Sequence, residues 1–142
     1  MDNNKLYNML AIGETVAVEF KRCSSGIGSD TYETVCSFLN RYGGDILLGV
    51  DDYGRVKGIP KNAAADMVEN FISMIGNPEV ISPTVYLAPE ILEVEGKNIV
   101  HIHVPPSSEV HSYKKSLRRL VWVGNKTIIL IVSQNIVESL FE

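Results

Sequence analysis

Residues 39–54, Leu-Asn-Arg-Tyr-Gly-Gly-Asp-Ile-Leu-Leu-Gly-Val-Asp-Asp-Tyr-Gly, restrict the fold more than any other stretch of the chain. Asn40, Arg41 and Tyr42 close a helical pattern, and Gly43 and Gly44 supply the positive-φ backbone common at a helix C-terminus. Ile46, Leu47, Leu48 and Val50 then run apolar with almost no alternation, the pattern of a strand covered on both faces. Such a strand needs a layer above and a layer below it. Asp51 and Asp52 end the run, and Asp-Tyr-Gly turns the chain. Two carboxylates at the end of a buried strand serve either chemistry or the turn itself.

The remaining elements are arranged around this strand. Leu6, Met9 and Leu10 predict a short helix over 5–12, ended by Gly13. Val16 to Phe20 reads as a strand in which Val16, Val18 and Phe20 share one face and Ala17, Glu19 and Lys21 the other. Ser24 to Ser29 is a loop by composition, and Ser29 or Asp30 is the expected cap of the next helix. Tyr32, Val35, Cys36 and Leu39 form that helix's apolar stripe. Arg55 to Gly58 is a brief antiparallel partner to the central strand, broken by Pro60. Asn62 is the expected cap of a helix with Met67, Val68, Phe71, Ile72 and Ile75 inward, ending at Gly76-Asn77-Pro78. Val85–Val94 and Asn98–Val104 make a hairpin around Glu95-Gly96-Lys97, stopped by Pro105-Pro106. Leu120–Val123, a Gly124-Asn125 turn, an apolar run Thr127–Val132 and a short helix near Gln134–Phe141 complete the chain. The expected fold is α+β: one domain over 1–142, with a single mixed sheet flanked by two main helices.

The formal net charge is −4, which argues against indiscriminate nucleic-acid binding. Its distribution is uneven. Residues 1–109 carry 8 Lys/Arg and 15 Asp/Glu, whereas residues 110–142 carry 5 Lys/Arg and 2 Asp/Glu. Lys114, Lys115, Arg118, Arg119 and Lys126 form a basic segment, which is either a solvated face or a phosphate-contacting edge. Cys23 and Cys36 lie far apart and form no metal or redox motif, so both thiols read as structural and the expected compartment is the cytoplasm. The start, Met-Asp-Asn-Asn-Lys, has no signal-peptide pattern, and no apolar run approaches a membrane span.

Glu14, Glu19 and Lys21, with Asp51 or Asp52, are the first chemical constellation. Metal-assisted phosphodiester hydrolysis needs converging oxygen ligands for Mg²⁺ or Mn²⁺, and a lysine beside them can offset developing phosphate charge. Glu-x-Lys alone is also an ordinary surface pair, and Asp52 alone an ordinary turn acceptor. Glu14 can join Glu19 only if it sits in the turn before the strand. His101 and His103 share a strand face and could ligate one metal, although no third ligand is indicated. His111, just before the basic segment, could touch a nucleic-acid backbone or simply pack a loop. Trp122, the sole tryptophan, reads as core or interface. Gly26-Ile27-Gly28 lacks the Lys-Ser/Thr continuation of a phosphate loop, and no Ser-His-Asp set can be assembled.

Together these residues resemble the Schlafen-type Alba-like domain, also called a divergent AAA domain. The resemblance rests on Gly13 to Lys21 (GETVAVEFK), Phe38 to Gly44 (FLNRYGG), Leu47 to Gly54 (LLGVDDYG) and Val56-Lys57-Gly58, and runs more loosely to Lys115 through PPSSEVHSYKK. It implies a mixed α+β fold and nucleic-acid binding, DNA or structured RNA, as the N-terminal module of bacterial transcriptional regulators. In the Schlafen branch it implies a metal-dependent endoribonuclease acting on RNA such as tRNA, with an acidic triad matching Glu14, Glu19 and Asp52 and a lysine matching Lys21. One departure is Trp122, which stands where family members carry an arginine before a segment like Val123 to Thr127. Three readings follow: a binding module contacting phosphates through Lys114, Lys115, Arg118, Arg119 and His111; a Mg²⁺- or Mn²⁺-dependent nuclease using Glu14, Glu19, Asp52 and Lys21; and a homodimerisation platform.

Overall fold

The computed structural model describes residues 1–24, 26–114, 116–123 and 126–133, with side chains through Lys114. Lys115, the Gly124-Asn125 turn and the helix expected near 134–141 lie outside the described residues.

The centre is a β-α-β unit. Strand β1 (Val18–Lys21) leads through a loop to helix α2 (Ser29–Leu39), which returns the chain to β2 (Gly44–Leu48) parallel to β1. All five residues of β2 are buried, as its continuous apolar run requires. A hairpin adds β4 (Glu90–Val94) and β5 (Lys97–Val104), both antiparallel, giving the mixed order β1-β2-β5-β4. Glu95 and Gly96 turn this hairpin with φ of 53° and 76°, the two left-handed positions of a tight two-residue loop.

Each face of this sheet has its own cover. Helix α2 and helix α3 (Lys61–Ile75) lie over Ile46, Leu48, Val100, Ile102 and Val104, with Tyr32 stacked on Phe71 at 5.7 Å. Helix α1 (Asn3–Ile12) lays Leu6 and Met9 on Phe20, Leu47, Val94 and Ile99 of the opposite face. The expected mixed sheet and its two flanking helices are therefore present. Beside them runs a second sheet, all antiparallel, of β3 (Ile81–Ser82), β6 (Ser112–Tyr113), β7 (Ser116–Val123) and β8 (Lys126–Ser133), in the order β3-β6-β7-β8. Helix α2 contacts β5 of the first sheet and β6 and β7 of the second, so it joins the two.

Several boundaries differ from expectation for local reasons. β1 starts at Val18 because Thr15 and Val18 exchange backbone hydrogen bonds in a tight turn. Gly28, not Ser29 or Asp30, precedes α2, and α3 begins at Lys61 behind Pro60, leaving Asn62 inside the helix. Pro suits that place because its fixed φ and missing N–H are harmless at a helix start. Val85, expected to open this strand, instead donates to the carbonyl of Ile75 at the end of α3, and β4 begins at Glu90. Arg55–Gly58 contributes a single bridge, Val50 to Val56. Gly43 ends the α2 region with φ 76°, whereas Gly44 already belongs to β2. No helix among the described residues is long and apolar enough to cross a membrane.

Candidate functional site

The carboxyl ends of the parallel strands β1 and β2 gather the charged residues singled out from the sequence. Ala17, Glu19 and Lys21 direct their backbone groups toward β2, so Phe20 offers its N–H to the open edge of the sheet. Glu14, in the turn before β1, accepts that N–H through Oε1 at 3.2 Å. The condition set by the sequence, Glu14 in the turn, is met. Glu19 and Lys21 lie on the face that α2 covers, opposite Phe20. Lys21 Nζ sits 3.5 Å from Glu19 and 2.8 Å from Asp30, in the first turn of α2. Asp30 was legible only as a cap; its partner Lys21 becomes visible once α2 is folded back on β1.

The electrostatics follow from this crowding. Burial pushes the Glu19 carboxyl up to about 7, helped by the charge of Glu14 and opposed by Lys21. Glu14 is also raised by burial, a shift limited by the Phe20 hydrogen bond and reinforced by the charge of Asp52. Burial opposes the charge of Lys21, but Asp30 and Glu19 outweigh it and hold the lysine pKa above its usual value. The hydrogen bond from Lys21 keeps Asp30 below the ordinary carboxylate range. Glu14 thus feels both Glu19 and Asp52, and the three acids border one region.

They do not form a coordination sphere. Among the described residues, no three of His, Cys, Asp and Glu come close enough to hold a metal ion. One oxygen of Glu14 is engaged by Phe20 and Glu19 faces Lys21. As arranged, the donor set does not fit the three-carboxylate Mg²⁺ or Mn²⁺ site that the sequence suggested. The turn role foreseen for Asp52 falls to Asp51, whose Oδ1 accepts the N–H groups of Tyr53 and Arg55 at 2.9 Å each.

Other expected residues separate from this site. His111 is buried: its Nδ1–H donates to the Pro83 carbonyl at 2.7 Å and its Nε2 accepts from the Ser107 hydroxyl at 2.7 Å. Both ring nitrogens are committed to loop packing, which removes His111 from any solvent-facing interface. Lys114 is exposed, its Nζ 5.5 Å from the Tyr113 ring. Arg118 and Arg119 occupy successive positions of β7, opposite Ile131 and Leu130 of β8; their side chains and Lys115 lie outside the described set. His101 and His103 meet no metal set but share Asp45, whose Oδ1 accepts from His101 Nε2 at 2.7 Å and His103 Nδ1 at 3.1 Å. Burial disfavours the Asp45 charge, yet these two hydrogen bonds hold its carboxyl below the usual range. Asp45 was missed because a lone acid at the start of an apolar run looks like a turn residue.

Comparison with known proteins places this geometry in a family. The profile described as Schlafen, AlbA_2 matches residues 14–130. The chain belongs to the Schlafen AlbA_2 family. The AlbA_2 match begins at Glu14 and takes in both sheets up to β8. No curated protein sequence matches the chain. Among solved structures, one similar fold is the N-terminal domain of a protein described as related to the ATP-dependent DNA helicase RecG, from Nitrosomonas europaea. It has 23% identity and a TM-score of 0.60, over 88% of this chain and 92% of that one. A second is the DIP2311 protein of Corynebacterium diphtheriae, at 18% identity and a TM-score of 0.60, over 89% of this chain and 26% of that one. At these identities the likeness establishes the AlbA_2 fold.

Proposed function

We propose that this AlbA_2 domain is a nucleic-acid-binding module, of the kind the family resemblance places at the N-terminus of bacterial transcriptional regulators. The observation that carries the reading is the run of basic positions along the second sheet. Glu14, Glu19, Asp30 and Asp52 surround the β1–β2 ends of the first sheet. In the second sheet Lys114 follows β6, and Arg118 and Arg119 occupy successive positions of β7, with Lys115 between them in sequence. Successive cations along one strand can contact phosphates, and such contacts supply sequence-independent affinity. The likeness to a domain of a RecG-related protein supports the same reading. Replacing Lys114, Lys115, Arg118 and Arg119 with Ala should weaken binding to unrelated sequences alike and flatten the log-affinity against log-salt slope by about 0.7–0.9 per lost contact. An unchanged slope would remove this segment from the interface.

A second reading is endoribonuclease activity on structured RNA such as tRNA, favoured by the Glu19 carboxyl at about 7 beside the Lys21 ammonium. A carboxyl in that range exchanges protons near neutral pH and can accept the proton of an attacking hydroxyl, while the lysine neutralises phosphate charge. Glu19→Gln should abolish cleavage of a tRNA, assayed with Mn²⁺, with Mg²⁺ and with chelator. Cleavage that persists unchanged in this variant refutes the reading.

A further inference from the structure

The turn after β2 carries an aromatic ring that neither core claims. Tyr53 is 82% exposed. Its backbone is nevertheless held on both sides. Asp51 accepts the N–H groups of Tyr53 and Arg55, and its Oδ2 accepts from Arg55 Nε at 3.0 Å. Gly54, at φ 79°, seats the turn on the end of α1 so closely that a Cβ there would lie 2.5 Å from the Leu10 carbonyl oxygen. The Arg55 guanidinium lies over the Tyr53 ring, 4.9 Å from its centroid. The turn is thus a rigid mount for a solvent-facing ring.

A cleft of about 270 Å³ opens beside the ring, lined by Arg22, Asp51, Asp52, Tyr53, Arg55 and Lys57. Asp51 is matched by Arg55 and by Lys57 at 3.8 Å. Arg22 makes no hydrogen bond or ion pair among the described residues, and it also borders a second cleft of about 250 Å³ reaching Lys21 and the start of α2. Neither space reaches the roughly 300–1,000 Å³ of a small-molecule pocket. Two shallow clefts sharing one exposed arginine suit a segment of polymer better than a free nucleotide.

We propose that Tyr53 is a stacking platform for an unpaired nucleobase, with Arg22 meeting a phosphate of the same strand. This rests on the nucleic-acid reading above and narrows it to single-stranded or looped segments. A base offers an apolar face to any exposed ring, so the contact tolerates sequence. Because the turn is already ordered, stacking on it forfeits little conformational freedom. Bases inside a duplex are already stacked and cannot use the platform. The basic segment of the second sheet is a separate contact, so the two can be tested independently.

The test uses the full chain and a short oligonucleotide carrying 2-aminopurine, single-stranded and as a duplex of the same sequence. The wild-type protein and Tyr53→Phe, which keeps the ring, should quench the single-stranded probe and bind it equally within about twofold. Tyr53→Ala should bind it about 5- to 150-fold more weakly, the range for one lost base–aromatic stack, with duplex affinity unchanged. Arg22→Ala should lower the single-strand salt slope by about 0.7. The exposure of Tyr53 makes misfolding an unsuitable explanation, and a matched thermal melt verifies this. Equal single-strand affinity of Tyr53→Ala and wild type, or an equal loss in Tyr53→Phe, overturns the proposal. If Tyr53→Ala binds normally while the Lys114/Lys115/Arg118/Arg119→Ala variant does not, binding stands and the platform falls. Absence of binding by the wild-type protein overturns both.

Discussion

Glu19→Gln is the sharpest perturbation of the acidic cluster, because it keeps the side chain's shape and removes its charge. Burial and the neighbouring Glu14 raise the Glu19 carboxyl from an ordinary 4.5 to about 7. The folded protein therefore binds this proton more tightly than the unfolded chain. Stability contributed by the protonated form is fully present below about pH 4.5 and declines as pH rises toward 7, where the carboxylate must ionise inside the fold. At about 1.4 kcal/mol per pH unit, the ionisation penalty above pH 7 approaches about 3 kcal/mol. The side chain is only 19% exposed, so solvent screening trims this modestly. The attraction of Lys21 at 3.5 Å is already included in that value. Glutamine should therefore stabilise the domain at pH 8 by about 1–3 kcal/mol and change it little at pH 5. Urea unfolding at the two pH values reads the difference, and a carbon-13 titration of the Glu19 carboxyl reads its midpoint. A gain of equal size at both pH values, or a Glu19 midpoint near 4.5, refutes the reasoning.

Other outcomes follow from single residues. Asp45→Asn keeps an acceptor oxygen but removes the charge that strengthens the hydrogen bonds from His101 and His103, and should destabilise the fold by about 1–3 kcal/mol at neutral pH, read from the urea midpoint. Because the Asp45 carboxyl is depressed, its contribution is present above the usual carboxylate range and lost as pH falls through its folded value. The gap between variant and wild type should consequently close in acid. Phe71→Ala, which empties a fully buried position stacked on Tyr32, should lower stability by about 3–5 kcal/mol. Gly43→Ala should lower the melting temperature, since φ is 76° and the added Cβ would clash with the Val104 carbonyl oxygen.

The first sheet was legible because its elements announce themselves. Ile46–Val50 is apolar on both faces, α2 and α3 carry helical stripes, and Glu95-Gly96 is a hairpin turn. The second sheet was legible only in part, through Leu120–Val123 and Thr127–Val132, which fall within β7 and β8. β3 and β6 have two residues each, too few for any period, and the charges of Arg118 and Arg119 hid the first half of β7. At the candidate site, Glu14, Glu19 and Lys21 were legible as a local set, and the turn position of Glu14 could be stated as a condition. Asp30 could not be linked to Lys21, nor Asp45 to His101 and His103. The first link depends on how α2 lies against β1, and the second on the antiparallel register that sets Asp45 opposite His103. Spacing along the chain carries neither. For His111 the sequence left two uses open, a nucleic-acid backbone contact and loop packing, and the ring takes the second.

The hydrogen bond from Phe20 to Glu14 has a consequence for the life of the protein among its neighbours. β1 is an outermost strand of its sheet, and an outermost strand invites another chain to zip onto it. The outward N–H of Phe20 would be a foothold for such an intruder. Glu14 already occupies it with a carboxylate, and the tight Thr15–Val18 turn shortens the free margin to a few residues. The same acid that crowds Glu19 thus takes up the edge donor that an added strand would need.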